Sequence, residues 1–255
     1  MPDTISSLQP VFTIVTVCYN AEKTIERTIK SVLSQSYSQI EYIIIDGASN
    51  DNTPSIIQRY NKYISKIVSE PDKGLYDAMN KAIKLAKGDY ISFLNAGDKL
   101  HSPETIEDIV DTINGNILPG VLYGDTDIVD DEGLFIRKRR LSPPACLSWK
   151  SFKKGMLVCH QSFYARRDLV EPYDLHYRFS ADFDWCIRVM KNADMNNAIF
   201  HNTHLILTDY LSEGLTTTHH RTSLWERFHI MSHYYGLPST ILFHIGFIIR
   251  AIIKK

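Results

Sequence analysis

The sequence predicts an α/β protein with a mostly parallel central sheet flanked by helices. Short, continuous apolar runs rich in β-branched residues alternate with amphipathic segments of helical period, and a polar or acidic turn follows most of these runs. Such runs are typical of strands that are covered on both faces. Right-handed crossovers would bring the carboxyl ends of these strands to one edge of the sheet, and we expect ligands to bind there.

Four predicted strands joined by helices occupy about the first hundred residues. We expect Asn20 to cap the first helix and Thr53 to cap the second, because Pro54 suits a first helical turn. Gly88 is placed to end the third helix. In order, the elements are a strand at 11–17, a helix with its apolar stripe at 25–33, a strand at 42–45, a helix from 54, a strand at 66–68, a helix at 75–87 and a strand at 89–94.

The pattern changes to an α+β arrangement after about residue 140. Before that point, Ser102-Pro103-Glu104 opens a helix. The other predicted elements are a strand at 121–129, a hairpin-like turn into a short strand at 134–137, helices near 182–191 and 222–235, and a strand near 198–207. The sequence has no internal repeat, low-complexity stretch or linker, which favours one continuous unit with a C-terminal appendage.

The appendage contains an almost wholly apolar segment, residues 241–253, interrupted by His244 and Arg250. It is shorter than the ~18 to 20 residues that a spanning helix needs. One interpretation is a helix in the membrane interface, with Arg250 snorkelling and Lys254-Lys255 beside anionic lipid. The alternative is a terminal helix packed on the core or in a dimer interface, and the sequence leaves both open.

Charge, cysteine spacing and the N-terminal residues indicate the kind of partner and the cellular compartment. Lysine plus arginine number 28 and aspartate plus glutamate 29, for a formal net charge of -1, which argues against nucleic acid as a partner. The four cysteines show no zinc-ligand spacing and are expected to be buried thiols in a reducing compartment. Because the N-terminal residues have neither a basic region nor an apolar core for export, we expect a cytoplasmic protein.

Acidic residues stand where nucleotide-binding proteins often carry glycine-rich loops. The sequence has neither a dinucleotide fingerprint after its first strand nor a P-loop. Instead, four aspartates fall at the predicted carboxyl edge: Asp46, Asp72, Asp77 and Asp98. They would repel a bare diphosphate unless a divalent cation stood between, and oxygen ligands of this kind suit Mg²⁺ or Mn²⁺.

Five stretches of the N-terminal half resemble one enzyme family. They are TIVTVCYN at 13–20, SVLSQSY at 31–37, IDGASND at 45–51, SEPDKGLYDAMN at 69–80 and GDYISFLNAGD at 88–98. In this order they resemble family 2 glycosyltransferases with the GT-A fold, most of all the branch that builds bacterial colanic acid, O-antigen and capsule. The resemblance continues more sparsely through 160–163 and 180–185. It divides the chain into a GT-A domain at 1–215, with a nucleotide-sugar half at 10–100 and an acceptor half at 101–215, and a C-terminal helical appendage at 216–255.

The resemblance also implies roles for individual residues. Asp98 would hold the metal that bridges the diphosphate, and Asp182 would be the catalytic base of a single, inverting displacement. The residues expected to line the base, uracil or ribose of the nucleotide are Thr16, Val17, Tyr19 and Asp46.

Several positions depart from the family pattern. Gly47 stands where many relatives carry a second aspartate, often a contact to the nucleotide base, so the resemblance implies that this contact is missing here. Asn95 replaces the first acid of the metal motif, and we expect it to contact the donor nucleotide. Asp98 then supplies the carboxylate of the motif, which predicts a metal held largely through the donor's phosphates. Met79 replaces an arginine, and Lys73 is the cation expected to take over a phosphate or base contact. The usual glutamate before the base is Ala181.

Other residues have two interpretations each. Asp125 and Asp127 form an alternative metal pair or are polar residues at a sheet edge. His160 faces the acceptor or is structural. One of His219 and His220 either contacts the metal or the diphosphate, or the two residues begin a solvated helix. Asp184 is either catalytic or orients its helix through local hydrogen bonds. The segment 137–140 is either a solvated face or a contact with anionic lipid.

These inferences predict a peripheral enzyme on the inner face of the cell membrane. It would move a hexosyl or N-acetylhexosaminyl group from a nucleoside diphosphate sugar, with UDP expected, to a growing, polyprenyl-diphosphate-linked surface polysaccharide. Two other classes stay open. A sugar nucleotidyltransferase would normally need a basic, glycine-rich phosphate loop, and a non-catalytic sugar- or nucleotide-binding relative is suggested by Asn95 and Ala181.

Overall fold

The computed structural model of the chain describes residues 9–212 and 220–253. Within these ranges the strands are β1 (Phe12–Cys18), β2 (Ile40–Asp46), β3 (Lys66–Ser69), β4 (Tyr90–Phe93), β5 (Lys99–Leu100), β6 (Val121–Val129), β7 (Phe135–Lys138), β8 (Phe163–Arg166) and β9 (Phe200–Leu211). The α-helices are α1 (Ile25–Leu33), α2 (Thr53–Arg59), α3 (Leu75–Leu85), α4 (Thr105–Asp111), α5 (Ala181–Met195), α6 (His220–Tyr235) and α7 (Leu237–Ile253). Short 3-10 turns occupy Asn61–Tyr63, Trp149–Lys154, His160–Ser162 and Arg167–Leu169.

One sheet contains all of these strands, in the order β3-β2-β1-β4-β8-β6-β9-β5, with β7 paired to β6. Strands β1 to β4 are mutually parallel, as the alternating half of the sequence predicts. Beyond them the sheet is mixed, because β8 runs antiparallel to both of its neighbours while β9 is parallel to β6. The short strands β5 and β8 were not predicted, since two and four residues carry too little periodicity.

Helices cover both faces of the parallel strands. On one face, which we call the α3–α5 face, apolar side chains of these two helices pack on β1, β2 and β4, and Trp185 is completely buried. On the other, the α1–α4 face, helices α1, α2 and α4 pack around Phe12 and Tyr90, whose rings stack at 5.2 Å. Burial on both faces explains why β1, β2 and β4 are mostly apolar, whereas the edge strand β3 exposes Lys66 and Ser69.

Three helix boundaries differ from the prediction. Asn20 does not cap α1: it has a φ of +48°, and its Oδ1 accepts a hydrogen bond from the backbone N–H of Asn50. Thr53 is the first residue of α2 and not its cap. Helix α3 ends three residues before Gly88, where a Cβ would lie 2.7 Å from the Val11 carbonyl oxygen, so glycine serves a close backbone approach there.

The two C-terminal helices differ in their packing. Helix α6 packs against the start of α5, where the hydroxyls of Ser180 and Ser223 lie 2.9 Å apart and Tyr234 donates to Asp184 at 2.8 Å. Helix α7 exposes large apolar side chains, including Ile241 and Leu242. No helix in the described ranges is both long and apolar enough to cross a bilayer.

Candidate active site

The carboxyl ends of the four parallel strands meet at one edge of the sheet, which we call the acidic edge (residues 18–20, 46–51, 69–74 and 94–98). Cys18 lies opposite Asp46, and Asp46 lies opposite Ser69 in the strand register. Val15 lies opposite Phe93, which places the turn after β4 beside the other strand ends. Four of the five sequence stretches that carry the family resemblance therefore meet here.

Asp46 holds this edge together from inside. Only 1% of its surface is exposed. Its Oδ1 accepts the Ser49 hydroxyl at 2.5 Å and its Oδ2 accepts the Ser69 hydroxyl at 2.6 Å, while the backbone N–H of Ser49 adds a further bond. In this structure the carboxylate joins the turn after β2 to the end of β3 and presents almost no surface to a uracil or ribose.

The three residues in and just after β1 that were expected to line the base differ in exposure. Thr16 is completely buried, with its hydroxyl 3.0 Å from that of Tyr42, and Val17 lies in the core of the α3–α5 face. Tyr19 is 60% exposed. Of these three side chains, Tyr19 is therefore the one exposed enough to contact a ligand at the acidic edge.

Asp72 fills the space beside Gly47, the position at which the family resemblance implies a second aspartate. A Cβ built on Gly47 would lie 2.5 Å from Asp72 Oδ2 and 3.4 Å from Tyr19 Cδ2. The backbone N–H of Gly74 donates to Asp72 Oδ1 at 2.8 Å and fixes the carboxylate, while no described residue bonds to Oδ2. A free carboxylate oxygen beside an exposed aromatic ring is an arrangement that can accept an N–H of a stacked base.

Lys73 lies in the exposed part of the same loop. Its backbone N–H donates to Asp77 Oδ2 at 2.9 Å, which orders the loop ahead of α3. Its ammonium group has no hydrogen-bond or ion-pair partner among the described residues. The cation is thus free to meet a phosphate, as the sequence predicts, although the structure holds no contact that fixes it.

Asp98 is buried in the turn that follows β4. Its Oδ1 accepts the backbone N–H of Leu211 at 3.0 Å and its Oδ2 accepts the Gln161 amide at 3.2 Å. Burial raises the pKa of Asp98 to about 7, against the lowering effect of these two hydrogen bonds and of Arg27. The carboxylate ties the end of β9 to the acidic edge.

Asn95 supplies an unpaired oxygen to the same turn. Its Oδ1 is buried with no hydrogen-bond partner among the described residues, an arrangement that normally costs about 1–3 kcal/mol. The unpaired amide oxygen of Asn95 and the carboxylate of Asp98, in which each oxygen accepts one side-chain or backbone hydrogen bond, form an all-oxygen set of candidate metal ligands. Such ligands fit a hard cation such as Mg²⁺ or Mn²⁺. Asn95 and Asp98 are the residues that would hold it.

Asp182 lies in the first turn of α5 and connects this helix to the nucleotide-sugar half. Its Oδ1 accepts the Tyr76 hydroxyl at 3.1 Å and the backbone N–H of Phe183 at 2.9 Å. Burial, with a further contribution from Asp182, holds the pKa of Tyr76 well above its usual value, so Tyr76 remains a donor. No described residue bonds to Oδ2 of the half-buried Asp182, which leaves that oxygen able to accept a proton.

His160 is a structural residue of the α3–α5 face, the second of its two predicted interpretations. Its ring stacks on Phe93 at 5.3 Å, and its Nε2 lies 2.6 Å from the Tyr173 hydroxyl. Burial lowers its pKa to about 4, although the nearby Asp182 opposes this shift. The imidazole is therefore neutral at physiological pH and fills the aromatic core beneath the acidic edge.

Arg227 of α6 is a cation near Phe183 and Tyr76, the neighbours of Asp182, and sequence reasoning did not identify it. Its guanidinium lies 5.8 Å from the centroid of the Phe183 ring and is close enough to Tyr76 to lower the pKa of that phenol. Its Nε is buried without a hydrogen-bond partner among the described residues. Nothing in the helical pattern of α6 distinguishes this arginine, because its surroundings come from α5.

The remaining candidates take different positions. Asp184 is buried and accepts bonds from Arg188 and Tyr234, so it orients its helix as one interpretation predicted. Asp125 is exposed, whereas Asp127 is buried beside Asp209 of β9. The segment 137–140 is largely exposed, though the guanidinium of Arg139 donates to backbone carbonyls, including that of Met156. His219 and the side chain of His220 lie outside the described residues.

Comparison with known proteins agrees with this architecture. The chain is 28% identical over 215 residues to a PGL/p-HBAD biosynthesis glycosyltransferase of Mycobacterium bovis, covering 80% of this chain and 78% of that protein. It is 40% identical over 94 residues to the putative teichuronic acid biosynthesis glycosyltransferase TuaG of Bacillus subtilis, covering 36% and 37% of the two chains.

Solved structures share the fold at low sequence identity. Residues 1–349 of S. aureus TarS, in complex with UDP-GlcNAc, superimpose with a TM-score of 0.65 at 16% identity. The match covers 80% of this chain and 59% of that fragment, and it confirms the predicted GT-A fold. The profile of Glycosyl transferase family 2 matches residues 13–173. Because this match spans more than half of the length of the chain, the chain belongs to glycosyl transferase family 2.

Proposed function

We propose that this chain transfers a sugar from a nucleoside diphosphate sugar, with UDP as the nucleotide, in one inverting displacement. The observation that carries the proposal is the hydrogen bond between Tyr76 and Asp182. Tyr76 follows directly on the acidic-edge loop, and Asp182 begins the helix of the acceptor half. The bond therefore holds a half-exposed carboxylate beside the end of the sheet where the nucleotide sugar binds.

The reaction needs a base and a departing diphosphate on opposite sides of the sugar. Asp182 Oδ2 takes the proton of the acceptor hydroxyl as the acceptor oxygen bonds to the anomeric carbon and the bond from that carbon to the diphosphate oxygen breaks. No covalent enzyme intermediate forms. In this proposal Arg227 and Lys73, two cations among the described residues, would face the developing negative charge. A bound divalent cation would neutralise charge on the diphosphate.

Recognition of the nucleotide rests on Tyr19 and Asp72 in this proposal. The exposed ring of Tyr19 stacks on the base, and Asp72 Oδ2 accepts the imide N–H that uracil offers at that edge. Asp46 positions this pair from beneath, through Ser49 and Ser69. The TarS structure with UDP-GlcNAc, which shares the fold, supports a uridine nucleotide.

The proposed acceptor is a growing, polyprenyl-diphosphate-linked surface saccharide, and the transferred group is a hexosyl or N-acetylhexosaminyl residue. Support comes from the resemblance to the branch that builds colanic acid, O-antigen and capsule, and from TuaG, whose name places it in teichuronic acid biosynthesis. The acceptor half, residues 101–215, would then hold the saccharide against Asp182.

A lipid-linked acceptor implies peripheral contact with the inner face of the membrane through α7. Its exposed apolar side chains include Ile241, Ile245 and Ile249, which recur every four residues on one face. We expect the chain to sediment with anionic vesicles and Ile245→Glu to stay in the supernatant. If wild type and variant both stay in the supernatant, this part of the proposal is wrong and α7 packs elsewhere.

Nucleotide binding is the first test of the proposed function. In calorimetric titrations of UDP, GDP, TDP and CDP, we expect UDP to bind and its affinity to rise on addition of Mn²⁺. Asp98→Asn, which keeps an acceptor for the Leu211 N–H, should abolish the effect of Mn²⁺ because it removes the carboxylate of the all-oxygen set.

Asp125→Asn is the matched control, since it removes an exposed carboxylate from β6, a strand of the same sheet that does not pair with β4 or β5. An Mn²⁺ effect that survives Asp98→Asn and disappears in Asp125→Asn would move the metal to the Asp125 side. Binding of no nucleotide by the wild type would instead support a non-catalytic relative. Release of pyrophosphate from a nucleoside triphosphate would identify a nucleotidyltransferase.

A further inference from the structure

Four adjacent strands, β5, β9, β6 and β7, place charged side chains in one row on the α1–α4 face. In the strand register Lys99 of β5 lies opposite Asp209 of β9, Asp209 lies opposite Asp127 of β6, and Asp127 lies opposite Lys138 of β7. His101 follows β5 directly, and its Nδ1 lies 2.7 Å from Asp209 Oδ1. The row therefore contains two neighbouring carboxylates with an imidazole beside them.

The row lies on the opposite face from His160 and Asp182. Thr126 and Thr208, which precede the two aspartates, point to the α3–α5 face. There the hydroxyl of Thr126 lies 2.7 Å from that of Ser162, and Thr208 donates to the Gln161 carbonyl at 2.9 Å. Since side chains alternate along a strand, Asp127 and Asp209 face away from the proposed active site.

Asp127 is the residue of this row whose charge is least compensated. It is 8% exposed, and its carboxylate has no hydrogen-bond partner among the described residues. Burial raises its pKa and Asp209 raises it further, while His101 and Lys138 act in the opposite direction. Lys99 offsets Asp209 through an ion pair of 2.9 Å, but like charges on directly opposed residues still destabilise a sheet.

We propose that His101, Asp127 and Asp209 form a site for one divalent transition-metal ion, separate from the nucleotide-sugar site. One ligand atom from each residue lies within 4.8 Å of the other two, a spacing that a central ion can bridge. One imidazole nitrogen and two carboxylates suit Zn²⁺ or Mn²⁺, whereas Mg²⁺ prefers oxygen ligands alone. The ion would relieve the repulsion between the two carboxylates.

Solvent reaches the site through His101. Its side chain is 39% exposed and lines a cleft together with Thr105, Asp108 and His204. An ion can therefore enter without opening the sheet, and water can complete its coordination. Because Asp98 immediately precedes β5 and Leu211 lies two residues after Asp209, the ion would also hold the strands that carry the Asp98 contact.

The test is calorimetric titration of Zn²⁺ into the protein in the absence of nucleotide. We expect one ion to bind, and Asp127→Asn and His101→Gln each to weaken binding by at least about tenfold. In metal-free buffer, Asp127→Asn should unfold at the same temperature as the wild type or higher, since it removes a repulsive charge. Zn²⁺ should then raise the unfolding temperature of the wild type and not of this variant.

His176 provides a matched control. Its Nδ1 lies 2.7 Å from Asp174 Oδ1, the same distance as in the His101–Asp209 pair, but its side chain is 91% exposed. Among the described residues, no third His, Cys, Asp or Glu ligand atom lies within 4.8 Å of both members of this pair. His176→Gln should keep full affinity for Zn²⁺. Absence of binding by the wild type, undiminished binding by Asp127→Asn, or loss of binding in His176→Gln would each overturn the proposed site. None of these results depends on whether the chain binds a nucleotide.

Discussion

Asp182→Asn is expected to lower the turnover of sugar transfer by about 10²- to 10⁴-fold, the contribution typical of general-base catalysis. The amide keeps an oxygen for the Tyr76 hydroxyl and the Phe183 N–H, so the position of the side chain should not change. What disappears is the oxygen that takes the proton of the acceptor. Affinity for the nucleotide should stay the same, because Asp182 contacts the acceptor side, and both quantities can be measured on one preparation.

Asp184→Asn is the control for this experiment. It changes the same chemical group one residue beyond Phe183, but Asp184 is buried and pairs with Arg188 at 2.8 Å and with Tyr234. We expect this variant to lose about 1–3 kcal/mol of stability, because it weakens a buried charge-assisted pair, and to keep most of its turnover. If turnover were unchanged in Asp182→Asn and lost in Asp184→Asn, the assignment of the base would be reversed.

The parallel half of the fold could be predicted because its signal is local. A strand that is buried on both faces is largely apolar, and the predicted strand at 11–17 lies within one residue of β1, in which all seven residues are buried. The order of the strands beyond β4 could not be predicted. The position of β8 between β4 and β6 depends on pairs as distant as Tyr90 with Arg166, and a four-residue strand has no pattern that specifies its neighbour.

The candidate site likewise has features that the sequence predicts and features that depend on contacts between distant residues. The sequence indicates which motifs meet at the acidic edge, since each follows a strand. Whether a carboxylate there faces solvent depends on contacts between motifs. Asp46 is satisfied by Ser69, twenty-three residues away, and Asp98 by Leu211, which belongs to the far side of the sheet. Neither burial is visible in the residue type or its spacing.

The difference between what residue type indicates and what the contacts determine matters most, for recognition of the nucleotide, at Asp72. The sequence shows an aspartate missing at position 47, and the structure shows another carboxylate in its place. We expect Asp72→Asn to weaken UDP binding by about 10- to 100-fold, the loss typical of a charge-assisted hydrogen bond. Asp51→Asn should have little effect, because Asp51 accepts bonds from backbone N–H groups of Glu22 and Thr53 at the same edge.

Exchange of the two side chains tests whether the position of the carboxylate is what matters. Gly47→Asp alone should also weaken UDP binding, because its Cβ would lie 2.5 Å from Asp72 Oδ2. In the double variant Gly47→Asp/Asp72→Gly the obstacle is gone and the carboxylate stands where many relatives carry it, so affinity should recover to within several-fold of the wild type.

Recovery would show that the edge needs one negative charge between Tyr19 and the end of β2, whichever residue supplies it. If the double variant bound UDP no better than the worse single variant, with an unchanged unfolding temperature, Asp72 would have a role that position 47 cannot replace, such as ordering the loop that carries Lys73.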